Sequence, residues 1–211
     1  LEWTMRCCHE LQFYDQACFI SLTYNDAHLP KLNGVPTVPS YTFDFQRFLK
    51  RLRKALRKVD KRISIRYYMV SEYGDKSSRP HYHAIIFGYD FRRDRYHWTY
   101  TDGHWIDRSP LLERCWGYQR VDGNWNQLGF CTVSDATLES IQYVARYTMK
   151  KIKGERAADF FASRLRDYTH MSLRPGIGAE WLDRFHGDVY KVDLVDGQVY
   201  QDAVRFNSRF V

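Results

Sequence analysis

At 211 residues, with 44% hydrophobic and 17% aromatic side chains, the chain is long and apolar enough to bury a full-sized core, which excludes a disordered polypeptide. A net charge of +7 favours an anionic partner, nucleic acid first among them. No apolar run reaches the roughly 20 residues of a membrane-spanning helix, and an odd five cysteines without a C-x-x-C pair fit a reduced, intracellular setting.

The chain opens on Leu1 and reads as a piece of a longer protein. From Leu1 to about Asp15, Trp3, Cys7, Leu11 and Tyr14 recur at helical spacing. Ala17 to Thr23 (ACFISLT) is a short β-rich run, followed by a loop carrying Pro30, Asn33-Gly34, Pro36 and Pro39. Thr42-Phe43-Asp44-Phe45 opens a helix whose apolar stripe is Phe45, Phe48, Leu49, Leu52 and Leu56. Its opposite face carries Lys50, Arg51, Arg53, Lys54, Arg57 and Lys58, and a solvated helix face accounts for them more simply than a DNA-contact surface. Ile63 to Glu72 and His81 to Phe87 read as two strands joined by a hairpin loop, Tyr73 to Pro80, with the Gly, Asp, Ser and Pro of such turns.

Residues 88–130, rich in Trp, Tyr, Asp and Gly, read as an irregular insertion with a short helix at Pro110 to Trp116. Phe130 to Val133 is a further strand. Asp135 is the expected N-cap of a helix through Ala136, Leu138, Ile141, Val144, Ala145 and Met149 that ends in Lys150, Lys151 and Lys153. The tail, residues 171–211, is expected to extend the domain: a turn at Arg174 to Gly178, a short helix Glu180 to Phe185, and an extended end from Val189 to Val199. One domain over 1–211 results, of α+β class: an antiparallel sheet with helices packed on it.

The stretch RPHYHAIIF, Arg79 to Phe87, carries the first chemical signal. Alternate residues of a strand share a face, so His81 and His83 project together while Tyr82 and Ala84 face opposite. Two imidazoles fixed side by side make a bidentate clamp for a divalent ion. Glu72 is the natural third ligand, because the hairpin returns it beside the pair. Two nitrogens and a carboxylate with open positions suit Mg²⁺ or Mn²⁺, and imidazole also suits Zn²⁺. On spacing alone, two packed or hydrogen-bonded histidines that bind nothing are an equal reading.

The second signal is QYVARYTMKK, Gln142 to Lys151. Tyr143 and Tyr147 share a helix face, and each is followed three residues later by a base, Arg146 and Lys150. A phenol is a weak nucleophile at its ordinary pKa near 10, so a neighbouring cation and a metal-bound phosphate are needed to activate it. With 16 tyrosines in the chain, composition alone supplies such pairs, and Tyr96 with Tyr100 is another. What distinguishes Tyr143 and Tyr147 is their helix, their bases and the histidines upstream.

Taken in order, FISLTY, SEYG, RPHYHAIIF, YVARYTMKK and the tail MSLRPGIG with Trp181 resemble the HUH endonucleases that initiate rolling-circle replication. The nearest likeness is to the replication initiators of microviruses, the gokushovirus branch above all, and it covers most of the chain. Tyr82 fills the place between the histidines only as an aromatic, and Arg146 stands where many relatives have Lys. The resemblance implies a ferredoxin-like (RRM-like) antiparallel sheet with H-x-H on a central strand and the tyrosine helix packed across it. It implies that His81, His83 and Glu72 hold Mg²⁺ or Mn²⁺ and that Tyr143 or Tyr147 attacks a phosphodiester of single-stranded DNA at a replication origin. The product is a 5′-phosphotyrosine and a 3′-OH that primes polymerase, and the second tyrosine serves a second transfer; Arg146 and Lys150 steady the charge. Arg79, Lys151, Tyr96 and Trp98, with Arg92, Arg93 and Arg95, are the expected DNA contacts, although an insertion with its own small core explains the aromatics equally. The implied setting is the cytoplasm of a bacterial host, with the host replication machinery as a further partner and no membrane. Two rivals remain: a non-catalytic nucleic-acid-binding module with the same sheet, against which no RNP-like segment appears, and a zinc hydrolase that activates water at the H-x-H clamp.

Overall fold

The computed structural model describes residues 2–39, 43–74, 77–101, 103–147, 155–189, 192–195 and 198–201. In chain order the elements are α1 (Glu2–Leu11), β1 (Ala17–Thr23), β2 (Lys31–Leu32), β3 (Val35–Pro36), α2 (Phe43–Val59), β4 (Arg66–Tyr73), β5 (Pro80–Phe87), β6 (Tyr96–Thr101) and β7 (His104–Arg108). There follow α3 (Pro110–Cys115), β8 (Gly117–Gln119), β9 (Trp125–Gln127), β10 (Cys131–Asp135), α4 (Leu138–Tyr147), α5 (Glu155–Ala162), β11 (Tyr168–Met171), α6 (Ala179–Val189), β12 (Val192–Val195) and β13 (Gln198–Gln201).

Seven strands form one sheet in the order β11-β4-β5-β1-β10-β7-β6, and the pairings are antiparallel throughout. The α+β, helix-covered antiparallel sheet expected from the sequence is therefore the architecture. Strict alternation along β1 explains how it supports two layers. Cys18, Ile20 and Leu22 are fully buried on one face, whereas Ala17, Phe19, Ser21 and Thr23 are half-buried on the other.

The first face packs on α2. Phe45, Phe48, Leu49, Leu52 and Leu56, all buried, meet Ile20, Leu22, Tyr82, Ala84 and Ile86. Tyr82, the residue between the two histidines, lies in this core, its ring 5.5 Å from Phe45 and 5.8 Å from Trp116. Of the bases of α2, Lys50, Lys54, Arg57 and Lys58 are exposed on the side turned away from the sheet, while Arg51 and Arg53 bond the carbonyls of Cys115 and Ile65. The second face carries Tyr68, Val70, Ile85 and Phe87 against Cys7 of α1 and Ile141 and Val144 of α4.

Several expectations are corrected. Residues 88–130 add two strands, β6 and β7, to the main sheet, and Leu112, Cys115 and Trp116 enter the principal core. Asp135 ends β10 opposite Cys18 and its carboxylate takes Arg95 at 2.7 Å, so it is unavailable as a cap. Thr137 and Ser140 close a reciprocal capping pair instead, each side-chain oxygen accepting from the other's backbone N–H. Leu138 is exposed rather than part of the apolar stripe. Strand β11 and helix α5 carry no strong period and were not expected. The helix at 180–185 runs Ala179–Val189, and the extended end is a two-stranded hairpin, β12 with β13.

The tail turn is held from within. Glu10 is buried and accepts from Arg66 Nε at 2.5 Å and from the Gly178 backbone N–H at 2.8 Å, while Arg66 also donates to the carbonyls of Pro175 and Gly176. Gly178 sits at φ +75°, where a Cβ would fall 2.9 Å from the Arg6 carbonyl oxygen, so the chain passes there only as glycine.

Candidate active site

The register of the sheet assembles the site. Glu72 of β4 stands opposite His81 of β5, and His83 stands opposite Val70 on one side and Ser21 of β1 on the other. All project to the face covered by α1 and α4. Glu72 and His83 are buried and His81 is half-buried. His81 Nε2 lies 2.9 Å and His83 Nε2 3.1 Å from the same carboxylate oxygen, Glu72 Oε1, and the two ring nitrogens lie 3.0 Å apart. These three are the one group of potential metal ligands found among the described residues.

The outer ring atoms decide what faces inward. His81 Nδ1 lies 3.0 Å from the Arg79 carbonyl, which only accepts, so Nδ1 carries the hydrogen and the neutral ring turns its Nε2 lone pair toward Glu72. His83 Nδ1 bonds Ser21 Oγ at 2.8 Å. Burial is the main cause that lowers the His83 pKa; the hydrogen bond to Glu72 opposes it and neighbouring His81 adds to it. The neutral, ligating form is favoured. Lone pairs of two imidazoles and a carboxylate therefore converge, and the second carboxylate oxygen, Glu72 Oε2, is buried with no hydrogen-bond partner among the described residues. Such a cluster repels itself unless a cation sits in it. The residues fit a divalent ion, and the Ser21 and Arg79 contacts are the outer partners that orient ligating histidines.

Tyr143 closes the other side. Its ring stands edge-on to His83 with centroids 5.2 Å apart and edge-on to Phe19 at 6.0 Å, and Phe19 stacks on His83 at 5.3 Å. Tyr143 is 41% exposed, so the phenol borders both the ligand cluster and solvent. This placement follows from Ile141, Val144 and Ala145 burying the adjacent stripe of α4. Arg146 is exposed on α4. Tyr147 is the last residue of α4; its side chain, and the whole of Lys150 and Lys151, lie outside the described residues. Arg79 is half-exposed and committed to Asp26 Oδ1 at 2.7 Å and the Tyr24 carbonyl at 2.9 Å. Tyr96 and Trp98 are exposed on β6, four strands from β5.

Sequence reasoning missed Ser21 and Phe19. The signal was present in ACFISLT, where the alternation puts a Phe, a Ser and a Thr on the face opposite three core residues. What it lacked was the neighbour of β1.

A family model whose description is that of the ORF2-type replication-associated proteins matches residues 17–152. The chain is 30% identical over 197 residues to the replication-associated protein VP4 of Bdellovibrio phage phiMH2K, covering 90% of this chain and 55% of that protein. It is 31% identical over 204 residues to the replication-associated protein ORF2 of Spiroplasma virus 4, with 92% and 56% covered. Over 148 residues it is 32% identical to ORF4, a replication-associated protein of Chlamydia phage 1, with 67% and 32% covered. The chain thus spans about half the length of the first two relatives, and no solved structure matches it. On a match that takes in the histidine strand, its carboxylate partner and the tyrosine helix alike, the chain belongs to the ORF2-type family of replication-associated phage proteins.

Proposed function

We propose that this chain is the HUH endonuclease part of a rolling-circle replication initiator, which nicks and rejoins single-stranded DNA at a phage origin. The observation that carries the reading is the convergence of Glu72, His81 and His83 on one point with the Tyr143 ring 5.2 Å from His83 on the same sheet face. The relatives, all replication-associated phage proteins, support the setting, a bacterial cytoplasm. No helix among the described residues is long and apolar enough to cross a membrane.

Mg²⁺ or Mn²⁺ held by His81, His83 and Glu72 supplies Lewis-acid polarisation of the scissile phosphate. The protein's own groups do the rest. The oxygen of Tyr143 or Tyr147 bonds to phosphorus, the P–O3′ bond breaks, and the departing 3′-oxygen takes up a proton as the phenol loses one. The result is a 5′-phosphotyrosine and a free 3′-OH that serves as primer for host polymerase. In the reverse sense a 3′-OH displaces the tyrosine and reseals the strand, so the bond energy is kept and no nucleotide triphosphate is needed. Arg146 and Lys150 are assigned to the charge on phenolate and phosphate. Arg79, Lys151, Tyr96 and Trp98 are assigned to the DNA, with Arg79 exchanging its carboxylate partner Asp26 for a phosphate.

Incubation with a single-stranded origin oligonucleotide and Mn²⁺, followed by a denaturing gel, tests this. The expected result is a covalent protein–DNA adduct that EDTA abolishes. Cleavage without an adduct transfers the site to a zinc-type hydrolase, and binding without cleavage transfers the chain to the non-catalytic nucleic-acid-binding modules.

A further inference from the structure

The helix-covered face of the sheet changes character past β1. On β10 the residues of the ligand face are Thr132 and Ser134, and neither is buried. Phe130, just before β10, belongs to the same face and is 62% exposed. Asp107 of β7 stands opposite Val133, which puts its neighbour Arg108 on the face of Thr132. Tyr96 of β6 is opposite Arg108, and a bulge between His97 and Thr99 re-aims Trp98. The Arg108 guanidinium carbon then lies 5.7 Å from the Trp98 ring centre and 5.8 Å from that of Phe130. Trp98 is 50% exposed and Tyr96 49%.

Three large aromatic rings held open to water beside one guanidinium are an unusual surface for a protein that buries its other face fully. Two details show that the arrangement is built. Gly129 has no room for a Cβ against the Thr23 carbonyl, so the close approach that brings Phe130 beside β1 depends on glycine. Arg108 donates from Nε to Glu113 Oε1 at 2.6 Å, which fixes the plane of its guanidinium while neutralising its charge. A neutralised, fixed planar group between two rings offers a flat surface more than a phosphate contact.

The strip is continuous with the ligand cluster. Thr23 faces His81 across β1–β5, and its backbone N–H donates to the Phe130 carbonyl at 2.8 Å. Phe130 is therefore two strand spacings from His81, about 10 Å along one row of the sheet. That is the reach of the nucleotides next to one held at the cluster.

We infer that Phe130, Arg108 and Trp98 form a base-stacking track for the single-stranded DNA that flanks the scissile phosphate, gripping nucleobases by their faces without reading their sequence. The inference rests on single-stranded DNA being the substrate. It adds Phe130 and Arg108 to the binding surface and assigns this part of it to bases rather than phosphates.

The test compares a fluorescein-labelled oligo(dT) with an oligonucleotide of equal length and charge whose bases are replaced by abasic residues, by anisotropy. Wild type is expected to bind oligo(dT) more tightly by about 5- to 150-fold per stacked base. In Trp98→Ala/Phe130→Ala that ratio falls by the same factor, Trp98→Phe/Phe130→Tyr restores it, and Arg108→Lys lowers it without changing the salt dependence of binding. A wild type that fails to bind oligo(dT), or fails to prefer it over the abasic strand, overturns the inference, as does a double alanine variant that keeps the preference. Wild type that dimerises in sedimentation while the double variant stays monomeric also overturns it, giving the strip to a second copy of the chain. The adduct assay reports separately: a missing adduct with the base preference intact strikes the nuclease reading and leaves the track standing, whereas a normal adduct without base preference does the reverse.

Discussion

Ser21→Ala isolates the orienting contact behind His83. The serine oxygen lies 2.8 Å from His83 Nδ1, on the side of the ring away from Glu72. Its loss removes one hydrogen bond, which costs folding about 1 kcal/mol, because Phe19 and Tyr143 still pack the ring. Its effect on a bound ion is larger: loss of an outer partner lowers metal affinity about 10- to 100-fold. The two effects separate in urea denaturation with and without Mn²⁺. At a metal concentration of about 100 times the wild-type Kd, wild type gains about 2.7 kcal/mol. A Kd raised about 10- to 100-fold leaves the variant at only about 10 to 1 times its own Kd, a gain of about 1.4 to 0.4 kcal/mol. Equal Mn²⁺ stabilisation in both proteins would refute the reasoning and make His83 a packed histidine that holds nothing.

The remaining predictions concern the nucleophiles, the tail and the thiols. Tyr143→Phe and Tyr147→Phe each impair a different transfer in the adduct gel while Mn²⁺ binding by calorimetry is unchanged, and adduct in the double variant would remove both from the role. His81→Ala loses chelator-sensitive cleavage and retains weak DNA binding; full cleavage by that variant would dispense with the metal. Glu10→Ala leaves the Arg66 guanidinium, 16% exposed, without its carboxylate and Gly178 without an acceptor, for a loss of about 3–5 kcal/mol in urea denaturation; a loss below about 1 kcal/mol would mean the tail is not anchored there. Burial pushes the thiols of Cys115 and Cys131 up to about 12 from an unfolded value of 9.0. A folded pKa above the unfolded one gives stability that is complete below pH 9 and is lost as pH rises toward 12. Denaturation midpoints should accordingly fall across that window, and Cys115→Ser/Cys131→Ser should flatten the fall; an unchanged slope counts against it.

Much of the site was legible because it rests on short-range geometry. Strand alternation alone puts His81 and His83 on one face and Tyr82 on the other, and a hairpin of a few residues returns Glu72 to them. The stripe of α2 was equally plain, since five apolar residues at helical spacing admit one buried side. Less was visible where the local signal was divided. Asp135 looks like a cap in isolation, but pairing with Cys18 and ion pairs with Arg92 and Arg95 claim it for β10, and the cap passes to Thr137. Strand β11 has no alternation to announce it, because as an edge strand all four of its residues stay half-buried.

By itself the sequence determined the two-faced strands, the amphipathic helices and the residue types able to bind a cation and attack a phosphate, since each depends only on the period of the backbone and on side-chain chemistry. Which strand lies beside which was decided by tertiary structure alone. Seating β1 between β5 and β10 joins segments distant in the chain, Ala17–Thr23 with Pro80–Phe87 and Cys131–Asp135, and that choice brings Ser21 to His83 and Phe130 into the row of His81. No local period encodes such a neighbour; burial of Ile20 and Leu22 against the face shared with Tyr82 and Ala84 selects it.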